Sequence, residues 1–332
     1  MNRFYVPCLV LSLALSVEMC TAQQPAPAQS PIASSVTPSR TVTEALQSSV
    51  GFLTVAFQDG LVQKGVIGTC FFVWVADKRL GENQGFVYLV TNRHVAQPGI
   101  DLHSPFPVIG TFLRLNLASP QGKIRSVEEL IPFGPQVHWY FPPDSAVDLA
   151  VLPLAPSSDR YAYVQIPSSI FATAEMVRTG DVVVGDRVTF AGYFSNFPGQ
   201  ERIEPIIRQG VIAMLPDEEL DTTLHKPGRL YLADLHAFHG NSGSPVFVNV
   251  GGTQHHGSYL MGDKYLLLGL VSGYYPESVG FSVPAATVLT GEVRDNSGIA
   301  TIVPADELLK LLNSGELQAE RDRQVSIPQK KP

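Results

Sequence analysis

The stretch Phe86-Val87-Tyr88-Leu89-Val90-Thr91 is a short run of aromatic, aliphatic and β-branched residues, and it decides the fold class. A charge-free run this short, ending at the polar pair Asn92-Arg93, is typical of a buried strand, because helices usually need about ten or more residues. Similar runs recur along the chain and are bounded by Gly, Pro or Asn, so we expect an all-β protein. They lie at 51–57, 66–75, 111–117, 149–154, 187–194, 206–214, 229–235, 246–250, 265–272, 280–283 and 298–303.

The strand runs fall into two sets that are separated by a proline-rich and polar stretch at 153–176. Regularly spaced short strands of this kind are typical of antiparallel sheets that are closed or packed face to face. We therefore predict two antiparallel β units, the first at about 43–155 and the second at about 176–303.

Helices are expected only at the two ends of this β region. Thr43 can cap a short helix that begins at Glu44. At the other end, Pro304 suits the first turn of a helix over 304–314, and Gly315 suits its termination. The remaining residues, 315–332, are expected to form a charged flexible tail.

The N-terminus has the features of an export signal. Arg3 precedes an apolar run that ends near residue 17 and is too short for a membrane span, and Cys20-Thr21-Ala22 provides small residues for cleavage. We expect residues 1–22 to be removed and 23–42, rich in Pro, Ala and Gln, to be a flexible linker. The mature protein would then be periplasmic or extracellular, without an integral membrane span. A retained anchor and a lipid on Cys20 stay open as alternatives.

The charge and the cysteine content indicate which partners and which disulfide bonds can be expected. The net charge is −7 and no basic stripe is present, so nucleic acid is not expected as a partner. Of three cysteines, Cys8 and Cys20 lie in the signal segment, which leaves Cys70 without a disulfide partner. We expect Cys70 to be a small buried hydrophobic residue.

The segment Gly240-Asn241-Ser242-Gly243-Ser244-Pro245 is the most specific chemical signal. An acyl-transfer nucleophile needs an exposed hydroxyl on a tight turn, beside backbone N–H groups that converge on one oxyanion. Glycine at 240 permits a backbone geometry that would turn its N–H inward beside that of Ser242. The alternative is a plain β-turn, which is how we interpret the second Asn-Ser-Gly, at 296–298.

His94 follows the strand 86–91 directly, in Thr91-Asn92-Arg93-His94-Val95. A general base must be fixed by a rigid element and still face solvent, and a position just beyond a buried strand meets both requirements. The alternative interpretation is a surface or capping histidine. We select His94 as the candidate base.

Two acids, Asp144 and Asp148, precede the apolar run 149–154. The acid that orients a catalytic imidazole must be desolvated and held by rigid backbone. Asp148 abuts the apolar run, whereas Asp144 follows two prolines in a loop. We therefore choose Asp148, against the alternative of a merely solvated acid.

These three segments, in the order His, Asp, Ser, resemble the trypsin-like serine proteases of chymotrypsin fold, and within them the bacterial HtrA-type branch. The family pattern Thr-x-x-His-Val is matched at 91–95, Asp-Leu/Ile-Ala at 148–150, and Gly-Asn-Ser-Gly-Gly-Pro at 240–245, where Ser244 replaces a glycine. The resemblance covers about 43–314. It implies two perpendicular six-stranded β-barrels with a Ser-His-Asp triad in the cleft between them, and an oxyanion hole at Gly240 and Ser242. It also implies peptide or protein substrates and no cofactor or metal.

Three departures from the pattern qualify the resemblance. Ser244 adds a side chain beside the oxyanion turn, which would restrict the site. Asn241 stands where digestive members have an aspartate that pairs with a freed N-terminus. We therefore do not expect activation by that mechanism in this chain. HtrA-type proteins usually carry a PDZ domain, and we expect none after Ser314.

The resemblance also maps a wall of the first substrate pocket. No acid lies among its residues, which disfavours Lys and Arg substrates; His236 would suit acidic side chains and Tyr274 small ones, and both preferences stay open. His236 and His239 could also be metal ligands, but no third ligand accompanies them. The mapped residues are His236, Ala237, His239, Ser272, Gly273, Tyr274 and, by a looser alignment, Gly280.

Two further classes of function compete with a serine endopeptidase. One is a protease-like protein of the cell envelope that binds peptides without cutting them, and the other is a structural envelope protein. All three triad residue types are present, which favours the enzyme. A structural role explains none of the three motifs.

Overall fold

The structure is a computed structural model that describes residues 41–118, 125–131, 138–251, 254–255, 258–259, 262–283 and 289–326. The expected signal segment and nearly all of the expected linker lie outside the described residues. In the described ranges, no helix combines the length and apolar character needed to cross a membrane.

The described part of the chain is mostly strand, as the sequence predicts. Its helices are α1 (Val42–Ser48), α2 (Arg93–Ala96), α3 (Ala174–Arg178), α4 (Ala305–Leu312) and α5 (Gly315–Ser326). Its strands are β1 (Val50–Asp59), β2 (Val62–Ala76), β3 (Gly85–Thr91), β4 (Val108–Asn116), β5 (Ser126–Leu130), β6 (Ala150–Pro153), β7 (Gln165–Pro167), β8 (Arg187–Gly192), β9 (Ile206–Met214), β10 (Leu220–Asp221), β11 (Pro227–Gly228), β12 (Tyr231–Asp234), β13 (Pro245–Asn249), β14 (Gln254–His255), β15 (Ser258–Tyr259), β16 (Tyr265–Val283) and β17 (Leu289–Pro304).

The first β unit is an antiparallel sheet in the order β5-β4-β1-β2-β3-β6, and β7 pairs with β2 in parallel. Its interior is filled by the apolar runs that identify the strands, including Leu53, Cys70, Phe72 and Leu89, each fully buried. β7 continues this unit past residue 155, where the sequence places its end. Cys70 is packed as the small buried residue expected, and its burial raises the pKa of its thiol far above the usual range.

The second β unit is a closed antiparallel barrel in the order β12-β17-β16-β13-β8-β9. A shared apolar cluster joins the two units, with Val90 and Val151 from the first, Phe247 and Leu270 from the second, and Leu308 from α4. The all-β fold with two antiparallel units is thus confirmed, and the shared cluster packs the two units against each other.

β16 and β17 differ from the sequence prediction because the runs at 265–272 and 280–283 belong to one continuous strand. The pairing of β16 with β17 shifts register between Val271 and Gly273 and again between Tyr274 and Pro276. Gly273 and Pro276 interrupt the apolar pattern, so the sequence predicts two strands. The structure has one strand, with two β-bulges in its pairing with β17.

The predictions for the two ends of the β region are wrong in two respects. α1 begins one residue before Thr43, because Thr41 is the cap: its hydroxyl accepts from the Glu44 N–H, and the Glu44 carboxylate accepts from the Thr41 N–H. The expected flexible tail is wrong over 315–326, which form α5. Leu317 is fully buried there, and the Arg321 guanidinium donates to the Tyr88 hydroxyl (3.0 Å) and to the end of α4.

Candidate active site

His94 lies in the first turn of α2, immediately after β3. The Asn92 side chain, fully buried, donates to the Asp148 carbonyl (2.8 Å) and so ties the end of β3 to the start of β6. Val95 packs under the helix against Gly68, where an added Cβ would lie 2.9 Å from it. The imidazole is therefore fixed by two strands while about a fifth of its side chain stays exposed (21%).

Asp148, and not Asp144, lies against His94. Its carboxylate is buried (1% exposed) and accepts the His94 backbone N–H at Oδ1 (3.0 Å) and the ring Nδ1–H at Oδ2 (2.7 Å). Asp144 is exposed, and its carboxylate accepts from the N–H of Ala146 in its own loop (2.9 Å). Because Nδ1 carries the proton that meets Asp148, the ring Nε2 is left free to accept a proton.

Two hydroxyl groups from the second β unit also reach Asp148 Oδ2. Ser272 Oγ lies 2.6 Å away and Thr223 Oγ1 lies 3.0 Å away. Ser272 was expected as a wall of the substrate pocket, but its side chain is buried and faces the acid. Thr223 was not identified from the sequence, since nothing in a Thr-Thr pair within a polar hairpin indicates a partner 75 residues away.

The electrostatics of the His94–Asp148 pair favour its ionised form. Burial raises the pKa of the Asp148 carboxyl, but the charge and hydrogen bonds of His94 and the Ser272 hydroxyl outweigh this, so the pKa lies below its usual value. Burial lowers the pKa of His94, and the Asp148 carboxylate outweighs it, so the net pKa is raised. A histidine of raised pKa is a stronger base towards a hydroxyl proton.

Ser242 lies on a turn that two glycines shape. Gly240 (φ +92°) and Gly243 (φ +85°) both occupy the left-handed region. A Cβ at Gly240 would overlap the Tyr193 ring, and one at Gly243 would overlap the Thr69 carbonyl oxygen. These two positions therefore accept only glycine without a shift of the turn.

The N–H groups of Gly240 and Ser242 are not engaged by any acceptor among the described residues. The neighbouring N–H groups are engaged: that of Gly243 donates to Val271, and that of Ser244 donates to Asn241. Two unengaged N–H groups on one turn, held by glycine geometry, form a site suited to an oxyanion.

The oxyanion turn is held by Asn241 and by the first β unit. Asn241 is buried; its amide donates to the Tyr193 carbonyl (2.7 Å) and accepts from the Phe238 N–H (2.8 Å). Thr69 donates its N–H to the Ser242 carbonyl (2.8 Å) and its hydroxyl to the Gly240 carbonyl (2.9 Å). Asn241 is thus held by the backbone groups of Tyr193 and Phe238.

Ser244 does not restrict the oxyanion turn as expected. Its side chain is fully buried and lies against Gly192, where a Cβ would overlap the Ser244 hydroxyl. The extra side chain is accommodated because residue 192 has none.

The Ser242 hydroxyl donates to the Ser272 carbonyl (3.3 Å). In the described part of the chain, no hydrogen bond joins Ser242 Oγ to the His94 ring. A rotation about the Ser242 side-chain bond is needed to direct its proton to Nε2, and such rotations between staggered positions are fast.

The residues expected to wall the first substrate pocket lie just before the serine turn and in β16. Ala237 is buried and its carbonyl accepts from the Asn296 amide (2.6 Å), while His236 is exposed and lies against Gly298. His239 is exposed and packs edge-on to Tyr274 (ring centroids 6.3 Å apart). The remaining expected wall residue, Gly273, lies against Thr223.

The loosely aligned Gly280 pairs with Glu292 in the β16–β17 ladder. The second Asn-Ser-Gly, interpreted from the sequence as a turn, lies within β17, where Asn296 contacts Ala237 and Gly298 lies against His236. Among the described residues, no group of three His, Cys, Asp or Glu side chains is placed to hold a metal ion.

Two antiparallel β units, with a histidine held by a buried aspartate on one and a glycine-shaped serine turn on the other, define the arrangement of a chymotrypsin-like serine protease. The sequence model of the family described as "Trypsin-like peptidase domain" matches residues 68–253, more than half of the chain. The chain belongs to this family of trypsin-like peptidases.

Comparison with individual proteins adds little beyond the family. A search of curated proteins finds no match. Among solved structures, one described as "Crystal structure of Deg5" is 18% identical, with a TM-score of 0.42, and the match covers 81% of this chain and 88% of that chain.

Proposed function

We propose that this chain is an exported serine endopeptidase that hydrolyses peptide bonds through an acyl-enzyme, with Ser242 as nucleophile, His94 as general base and Asp148 as the orienting acid. The observation that carries the proposal is the hydrogen bond from His94 to the buried Asp148, together with a serine turn that has two unengaged N–H groups. The proposal places the protein in the periplasm or outside the cell, on the strength of the signal-like sequence at 1–22.

The proposed reaction uses each of these groups in turn. Ser242 Oγ attacks the scissile carbonyl carbon while its proton passes to His94 Nε2, and the resulting oxyanion accepts from the N–H groups of Gly240 and Ser242. The carbon–nitrogen bond then breaks, and the leaving amine takes the proton from His94. Water repeats the sequence on the acyl-enzyme, which releases the acid and restores Ser242.

Asp148 acts on the histidine and not on the substrate. It holds Nδ1–H and the backbone N–H of His94 together, so that only Nε2 can serve as the base. It also stabilises the imidazolium that forms when Ser242 gives up its proton.

A peptide-binding protein without hydrolysis is the second candidate, and the resting bond from Ser242 to the Ser272 carbonyl favours it. A serine held in that orientation would not be activated by His94. The two candidates differ in whether Ser242 is nucleophilic in solution.

Labelling with a fluorophosphonate probe separates them, because the probe reacts with an activated serine. We expect the wild-type chain to be labelled and Ser242→Ala to be unlabelled, with a loss of peptide turnover on the order of a million-fold. Ser297→Ala is the matched control, since Ser297 lies in the second Asn-Ser-Gly, within β17, and should leave labelling intact. A folded wild-type chain that resists the probe would establish the binding protein instead.

A further inference from the structure

The short hairpin formed by β10 and β11 brings Thr223 from the second β unit onto the acid of the first. Thr223 Oγ1 lies 3.0 Å from Asp148 Oδ2 and 2.7 Å from Ser272 Oγ, while Ser272 Oγ lies 2.6 Å from the same Oδ2. The three oxygens thus form a closed triangle, with the carboxylate at one corner.

Proton counting assigns the donors in this triangle. Each hydroxyl has one proton, and a carboxylate can only accept. Ser272 is the closer group and donates to Asp148 Oδ2, so Thr223 shares its proton between Oδ2 and the Ser272 oxygen. In either position it strengthens the hold on the carboxylate, directly or through a chain of polarised hydrogen bonds.

Thr223 is fixed on its other sides by its hairpin. Its methyl group packs on Gly273, where an added Cβ would lie 2.7 Å away. The hairpin is tied down by the Tyr275 hydroxyl, which donates to the Asp221 carbonyl (2.9 Å), and by Lys226, which donates to Ser145 in the Asp148 loop (2.9 Å). The hydroxyl is therefore held in place and not merely near the acid.

We propose that Thr223 is a positioning residue, which acts through Asp148 to set the orientation and basicity of His94. The inference rests on the proposed function for its effect on turnover, but its effect on His94 can be measured without catalysis. It also gives the β10–β11 hairpin a function, as the element of the second unit that completes the acid site of the first.

Loss of the Thr223 hydroxyl has a definite electrostatic consequence. A donor to Asp148 stabilises the carboxylate and shares its negative charge, so removing it leaves more of that charge to act on the imidazolium. The pKa of His94 should therefore rise further in Thr223→Val. The other charged groups that act on this pair, Asp101 and Arg93, are unchanged by the substitution.

The test compares Thr223→Val and Thr223→Ser with Thr222→Val. The Thr222 hydroxyl accepts from the Leu224 N–H in the same turn (3.3 Å) and controls for loosening of the hairpin. We expect Thr223→Val to lower kcat about tenfold, the effect of one hydrogen bond to a charged group, with KM nearly unchanged. Thr223→Ser should restore kcat, and Thr222→Val should leave it within about twofold.

Titration of the His94 ring by NMR distinguishes a positioning role from a purely structural one, because loosening the hairpin alone would not shift it. The His94 signal is assigned by its loss in a His94→Ala variant. Thr223→Val should titrate at higher pH than the wild type, and Thr222→Val and Thr223→Ser at the wild-type pH. If Thr223→Val does not fold, Thr223→Ala gives the same comparison. An unchanged His94 titration would overturn the proposal. A shifted titration in a chain that hydrolyses no peptide would support it and refute the proposed function alone.

Discussion

Replacing Asp148 by Asn tests the orienting acid with the smallest change of shape. In the structure the carboxylate only accepts hydrogen bonds: from the His94 backbone N–H, the His94 ring, Ser272 and Thr223. An amide has one oxygen and one NH₂ group, so it cannot serve donors on both sides. Whichever way it turns, some donor must face another donor.

The size of the effect follows from which donor is left unpaired. If the amide NH₂ faces the His94 ring, Nδ1 must accept and the proton moves to Nε2, which can then no longer accept from Ser242. If it faces the backbone N–H instead, the start of α2 loses that hydrogen bond to the acid, while the amide oxygen still accepts from the His94 ring. We expect the first arrangement and a loss of about ten-thousand-fold in kcat, equivalent to about 5 kcal/mol of transition-state stabilisation.

The matched control is Asp144→Asn, which removes a charge from the same loop. Asp144 is exposed, and its carboxylate accepts from the Ala146 N–H, a bond that the amide oxygen can keep. The expected loss is less than about tenfold. Both variants should be assayed as kcat/KM on one peptide substrate, with circular dichroism to establish folding. A larger loss in Asp144→Asn, or a loss below about tenfold in folded Asp148→Asn, would refute the reasoning.

Three further outcomes are expected. Because the pKa of His94 is raised and the imidazolium cannot accept a proton, kcat/KM should rise with pH through an apparent pKa above the ordinary value of about 6.5, and a flat profile between pH 5 and 8 would contradict this. Gly240→Ala should reduce kcat about a hundred- to a thousand-fold, because its Cβ would overlap Tyr193 and displace the oxyanion donor. The control is Gly185→Ala, at a similar φ (+94°) with open space around it, which should lower only the stability, by about 1–2 kcal/mol. Leu317→Ala should lower the free energy of unfolding in urea by about 2–5 kcal/mol, and the exposed Glu316→Ala by less than about 0.5 kcal/mol; equal effects would mean that α5 does not pack as described.

The strands could be predicted from the sequence where their residues are buried on both faces. The run 86–91 has no charge and forms β3, with every residue buried. β5 escaped notice because it is an edge strand, with Glu128 and Glu129 in its five residues and no buried position. α5 escaped notice for a similar reason, since only Leu317 and Arg321 are buried in it and an arginine does not signal a core.

The residues of the candidate site could be predicted where their role follows from neighbours in the chain, and not where it depends on residues far away in the sequence. Asp148 could be chosen over Asp144 because burial of a carboxylate follows from its neighbours in the chain, Leu149 and Ala150. The role of Ser272 in holding Asp148, and the presence of Thr223, depend on how the two β units meet. No pattern within a short window of sequence carries that information.

The site is divided between the two β units, and this division determines how the activity can fail. His94 and Asp148 come from the first unit and bond to each other, and the Ser272 and Thr223 hydroxyls of the second unit also hold the Asp148 carboxylate. Ser242 and its N–H groups come from the second unit, and Thr69 joins the two by donating to the Ser242 and Gly240 carbonyls. A displacement of the second unit would move Ser242 together with the Ser272 and Thr223 hydroxyls, so turnover would fall and the His94 titration would shift. A change confined to the serine turn would lower turnover and leave the His94 titration unaltered.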